Sequence, residues 1–191
     1  TSSVTTGGRI LIQSGFSSAK SSGAIGIRTA DSSTSGVSGY LIMSTGVGDK
    51  GNSGSMWVGS GASTSGRGGS VYVTVGSGDS GTGGDVVITA GGASDAAVGD
   101  AMGGQIYMSA GTSAAQTGGR IFIRSGVSTS QTSGAVGIVT ADSGTAGASG
   151  YMILSTGAGT KGNTGAMYLG SGVSTSGRGG SVYVTVGSGD R

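Results

Sequence analysis

The chain has 191 residues, of which 46 are Gly, 9% are charged and 34% are apolar, with a formal net charge of +2. It contains no Cys, His, Glu or Pro, which excludes disulfides, thiolate chemistry, the usual general bases and most familiar metal-binding constellations. The near balance of ten Lys/Arg against eight Asp points to neither nucleic acid nor an anionic membrane as a partner, and no run is apolar enough to span a bilayer.

Low charge with abundant Gly and Ser suits a low-complexity segment, but the apolar residues are placed too regularly for one. From Arg9 onward the chain repeats a short phrase: Gly, any residue, aliphatic, any residue, aliphatic, any residue, small, then Gly or Ala. The period of two is that of a strand with one buried face. Taking the second glycine as a marker, the copies begin at Gly8, Gly23, Gly39, Gly54, Gly69, Gly84, Gly104, Gly119, Gly134, Gly150, Gly165 and Gly180. All but one of the spacings are 15 or 16 residues; the interval from Gly84 to Gly104 is 20.

In chain order, Thr1 to Thr6 resembles the end of a preceding copy, since Thr5-Thr6-Gly7-Gly8 parallels Gln116-Thr117-Gly118-Gly119. The expected inward pairs are then Ile10/Ile12, Ile25/Ile27, Leu41/Met43, Met56/Val58, Val71/Val73 and Val86/Ile88, followed by Ile106/Met108, Ile121/Ile123, Val136/Ile138, Met152/Leu154, Met167/Leu169 and Val182/Val184. Two residues after each pair stands a small side chain, from Ser14 through Val75 and Ala90 to Val186. The Gly or Ala that follows is the expected corner, where Gly is free to take positive φ and backbones can approach closely. The longer interval predicts a loop insertion at about 93–102, whose Asp95 and Asp100 are a weak candidate for cation binding.

A longer repeat lies over the short one. Gly7 to Asp79 matches Gly118 to Asp190 at an offset of 111, with 52 of the 73 pairs identical. The chain therefore reads as one continuous segment over 1–191, with a super-repeat at 7–117 and an incomplete second copy at 118–191. A fixed short period is the mark of a solenoid, whose repeats bury their apolar faces only by stacking. The expected fold is all-β: a parallel β-solenoid of about twelve roughly 15-residue coils with a flattened two-layer cross-section, an antiparallel meander being the competing topology. Neither end carries a polar cap, so further repeats or end-to-end joining are expected.

Between the inward aliphatics, the outward column holds Leu11, Ile42, Trp57, Tyr72, Val87, Tyr107, Phe122, Ile153, Tyr168 and Tyr183, interrupted by Gly26 and Gly137. An outward stripe of this composition is the candidate lateral-contact surface. The bland alternative is a ladder of stacked side chains that only stabilises the sheet.

Other motifs carry little. Gly76-Ser77-Gly78-Asp79-Ser80-Gly81 has the glycine spacing of a dinucleotide loop but leads into an expected strand rather than a helix, and no Gly-Lys-Ser/Thr is present. Asp31 and Asp142 recur once per super-repeat, too sparsely for a calcium-binding solenoid array, and no two acids share a strand column in consecutive copies. No cofactor, metal or enzymatic activity is expected. Asn52 and Asn163 lack the Ser or Thr needed for N-glycosylation, whereas the Ser/Thr-rich spacers admit O-glycosylation.

The phrase Gly-x-aliphatic-x-aliphatic with its Ser-rich spacer, and Val75-Gly76-Ser77-Gly78-Asp79-Ser80-Gly81-Thr82-Gly83-Gly84-Asp85-Val86, resemble the Gly/Ser-rich repeat regions of large cell-surface or secreted proteins of diatoms and related algae. That resemblance implies an extracellular or cell-surface setting and a structural role. The functional expectation is a rod or filament whose partner is the chain itself, end to end and laterally. The alternative is a module binding ice or extracellular polysaccharide.

Overall fold

The computed structural model describes residues 7–94 and 101–189 and falls into two units, Thr1–Ile88 and Thr89–Arg191. Among the described residues there is neither helix nor strand. The parallel β-solenoid expected from the repeat is therefore wrong, and so is the antiparallel meander. Residues 95–100, which contain Asp95, Asp100 and most of the predicted insertion, lie outside the described residues, as do Thr1 to Thr6 and Asp190.

The repeat still organises the backbone. Among the described residues ten bends recur in phase with the sequence, at 18–20, 34–35, 49–51, 64–66 and 79–81 in the first unit and at 114–116, 129–131, 145–147, 160–162 and 175–177 in the second. Each separates two apolar runs. After the bend the chain returns to where the previous run ended, and there the marker glycine meets the small residue that closed that run.

In the first unit, a Cβ added to Gly23 would lie 3.4 Å from Ser14 Cβ, one on Gly54 3.5 Å from Thr45 Cβ, and one on Gly69 3.0 Å from Ser60 Cβ. In the second unit the same test gives 3.2 Å from Gly119 to Ala110 Cβ and 3.4 Å from Gly134 to Ser125 Cβ. Every marker from Gly23 to Gly180 has this neighbour. The glycine before it in a Gly-Gly doublet faces open space at Gly68, Gly83 and Gly179 and makes only an ordinary contact at Gly103 and Gly118. Close approach favours glycine at Gly23, Gly69, Gly84, Gly104 and Gly119, where an added Cβ would have a neighbour at 3.3 Å or less; at the other markers the contact would be an ordinary one. Among the described residues the one positive φ is that of Gly81, at +78°, inside a bend rather than at a predicted corner.

Hydrogen bonds close some of these mouths. The marker N–H donates to a carbonyl of the preceding run in Gly23 to Gly15 at 2.9 Å, Gly104 to Gly91 at 2.8 Å, Gly119 to Gly111 at 2.9 Å and Gly134 to Gly126 at 3.0 Å. Elsewhere a hydroxyl takes over: Ser60 Oγ donates to the Gly69 carbonyl at 2.7 Å and Thr29 Oγ1 to that of Gly39 at 3.3 Å. Among the described residues each backbone bond stands alone. None continues into the ladder that would define a sheet.

The physical reason lies in what the runs can bury. Each copy offers two aliphatic side chains per fifteen or so residues, in a backbone where 46 of 191 positions are Gly, the residue that loses most freedom on ordering. Among the described residues no side chain is buried. The accessible surface is 19503 Å², against about 8,000 Å² for a compact monomer of this mass and about 26,000 Å² for an extended chain. The predicted inward pairs therefore form no core.

A trace of the expected alternation survives. From Ile25 to Val182 the first aliphatic of each pair is 47–57% exposed. Half-buried residues are few: the loop-mouth residues Ser14 and Thr29 in the first unit and Ala90, Ala110 and Ser125 in the second, together with Ser17 and Ser128 in the loops.

A candidate contact surface and the loops beside it

The outward column is the most exposed apolar feature of the runs. Its ten residues range from 67% exposed at Leu11 to 94% at Tyr168. Apart from the first copy and the two whose column residue is glycine, Gly26 and Gly137, the column residue is more exposed than either aliphatic beside it; Trp57, for example, is 92% exposed between Met56 at 50% and Val58 at 73%. Alternating side-chain direction along an extended backbone produces this difference without any sheet. The stripe read from the sequence is therefore solvent-facing copy by copy. What the described residues do not do is bring the copies together as a ladder. Tyr40 and Tyr151, which precede their aliphatic pairs and stand at the same place in the two super-repeats, are also exposed and extend the aromatic content beyond the column.

The loops have a common construction that the sequence pattern alone did not disclose. Six residues before a marker glycine stands an acceptor, and three before it stands an amide that donates to that acceptor. Lys20 N–H donates to Ser17 Oγ at 3.0 Å and Gly66 N–H to Ser63 Oγ at 2.9 Å. In the second unit the N–H of Gln116 donates to Ser113 Oγ at 2.9 Å, that of Gln131 to Ser128 Oγ at 2.8 Å and that of Gly177 to Ser174 Oγ at 2.8 Å. Backbone carbonyls replace the hydroxyl in Gly36 N–H to Ser33 at 3.3 Å and Gly147 N–H to Gly144 at 3.4 Å. These are Ser-based turns, in which a side-chain oxygen imitates a backbone acceptor. The legible signal was a Ser six residues before the marker, hidden because Ser is abundant throughout the spacers.

A different turn occupies one loop in each super-repeat. In Gly48-Asp49-Lys50-Gly51-Asn52 a Cβ on Gly48 would collide with the Gly51 carbonyl oxygen, and in Gly159-Thr160-Lys161-Gly162-Asn163 one on Gly159 would collide with that of Gly162. Both loops need glycine there and carry a lysine in the bend.

Among the described residues no group of three acids could hold a metal ion, no cavity is present and no helix is long and apolar enough to cross a membrane. Arg9, Arg67, Arg120 and Arg178 are exposed. No family model matches the chain, and no curated protein or solved structure is similar to it.

Proposed function

We propose that the protein is a structural repeat protein whose copies associate laterally through the apolar column to build an extracellular rod or filament. The observation that carries this reading is the exposure of Trp57, Tyr72, Tyr107, Phe122, Tyr168 and Tyr183, each at the same place in its copy and each above 80%. Recurrent exposed apolar surface of this kind marks an interaction surface. A chain with no buried side chain among its described residues gains most by covering that surface with another chain, because the hydrophobic gain scales with the area removed from water. The extracellular setting rests on the resemblance to algal cell-surface repeats.

The test is sedimentation velocity on the full chain over a wide concentration range, with electron microscopy of the concentrated sample. Concentration-dependent growth into elongated particles, reduced by Trp57→Ser with Tyr72→Ser and Tyr183→Ser, supports the filament. A single monomeric species at all concentrations would sink it.

Exposed aromatic faces also suit the stacking of sugar rings, so adhesion to extracellular polysaccharide is the second reading. It predicts that the same Trp57 and Tyr72 substitutions abolish retention on a polysaccharide matrix while leaving the sedimentation of the free chain unchanged. Ice binding requires a flat, regular array, and no observation among the described residues favours it.

A further inference from the structure

The residue three before the marker glycine is Gly in most loops, as at Gly36, Gly66, Gly147 and Gly177, so the turn itself asks for no side chain there. Three described loops with the Ser-based turn depart from this, carrying Lys20, Gln116 and Gln131. Lys20 and Gln131 stand at equivalent positions, 111 residues apart, in the two super-repeats. The same N–H to Ser Oγ bond holds both backbones, and both residues are exposed. One loop geometry therefore presents an amine in one super-repeat and a carboxamide in the other.

We propose that Gln116 and Gln131 are acyl donors and Lys20 the acyl acceptor for an enzyme of the transglutaminase class, which joins copies of the chain by isopeptide bonds. The enzyme supplies the thiol, since this chain has no Cys. Its thiolate attacks the Gln side-chain carbonyl carbon, the C–N bond breaks, and the nitrogen leaves as ammonia after taking a proton. The neutral Lys20 amine then attacks the thioester, forming the amide and releasing the thiol. Nothing is oxidised or reduced. This deepens the filament reading, on which the joining of copies rests, by giving the association a covalent lock.

The other glutamines supply internal controls. Gln105 accepts a hydrogen bond from the Tyr107 hydroxyl on its side-chain oxygen, and Gln13 lies inside an apolar run next to the half-buried Ser14. All four glutamines are exposed, so accessibility alone does not separate them. Likewise Lys50 and Lys161 sit in the glycine-dependent turns rather than in the Ser-based ones.

The experiment incubates the full chain with a transglutaminase and monodansylcadaverine at a dilution where sedimentation shows monomer, and maps the label by mass spectrometry. Labelling of Gln116 and Gln131 should run about tenfold or more ahead of Gln105 and Gln13, a difference of about 1.4 kcal/mol in barrier. Gln131→Asn should remove its own label only. Without the amine and at high concentration, isopeptides should map to Lys20 and disappear in Lys20→Arg. Equal labelling of all four glutamines, no labelling, or links through Lys50 or Lys161 with Lys20 free would overturn the proposal. The small amine needs no association between copies, so a failure of labelling is distinguishable from a failure of the filament, which sedimentation reads separately.

Discussion

The backbone N–H of Gly119 donates to the carbonyl of Gly111 at 2.9 Å, tying the start of one apolar run to the end of the one before it. A Cβ added to Gly119 would stand 3.1 Å from the Gly111 nitrogen and 3.2 Å from Ala110 Cβ, so the contact depends on glycine. Its neighbour Gly118 would meet only the Gly111 oxygen at 3.7 Å, an ordinary separation. Gly119→Ala should therefore loosen the loop mouth, while Gly118→Ala should be tolerated. Amide exchange at residue 119, protected by the bond in the parent chain, should accelerate several-fold in the first variant only. Equal exchange in both would show that the mouth is not held by this contact.

The tight turns give a sharper contrast. Gly48→Ala and Gly159→Ala each drive a methyl group into a carbonyl oxygen of the same turn, and the backbone must move to admit it. The cost expected is about 1 kcal/mol or more per turn. Gly46→Ala, where a Cβ meets nothing, is the matched control. Chemical-shift changes confined to residues 48–52 for Gly48→Ala, and absent for Gly46→Ala, are the readout.

In the Ser-based turns the acceptor is a single hydroxyl. Ser128→Ala should remove the bond to Gln131 N–H, worth about 0.5–1.5 kcal/mol and toward the lower end at an exposed site. Ser128→Thr keeps the acceptor. Faster exchange of the Gln131 amide in the Ala variant but not in the Thr variant checks this.

Association through the apolar column should be insensitive to salt, because no charged residue occupies the column in any copy. Raising ionic strength from low to physiological should leave the sedimentation profile unchanged or shift it slightly toward larger species. Dissociation by salt would instead implicate exposed charges such as Arg9 or Arg120 in the contact.

Periodicity, the placement of the aliphatics and the outward column were legible in the sequence because they follow from residue order alone. An extended backbone sends alternate side chains to opposite sides, and the exposure of Trp57 against that of Met56 shows it doing so. The marker glycines were legible as a pattern but their cause was not. A close approach between Gly119 and Ala110 joins residues nine positions apart, and only the path of the loop between them brings it about.

What the sequence by itself determined, then, is the repeat, its register and the chemistry available in each loop: Ser, Gly, Lys and Gln in fixed places, with no thiol and no imidazole. What only the tertiary structure decided is that the runs close onto one another at single points and do not zip into a solenoid. The reason is physical. Side-chain alternation is a local property of the chain, whereas a sheet needs neighbouring runs to exchange consecutive hydrogen bonds and to bury enough apolar area to offset the ordering of a glycine-rich backbone. With no buried side chain among the described residues, the aliphatic surface that the sequence places so regularly stays exposed to solvent.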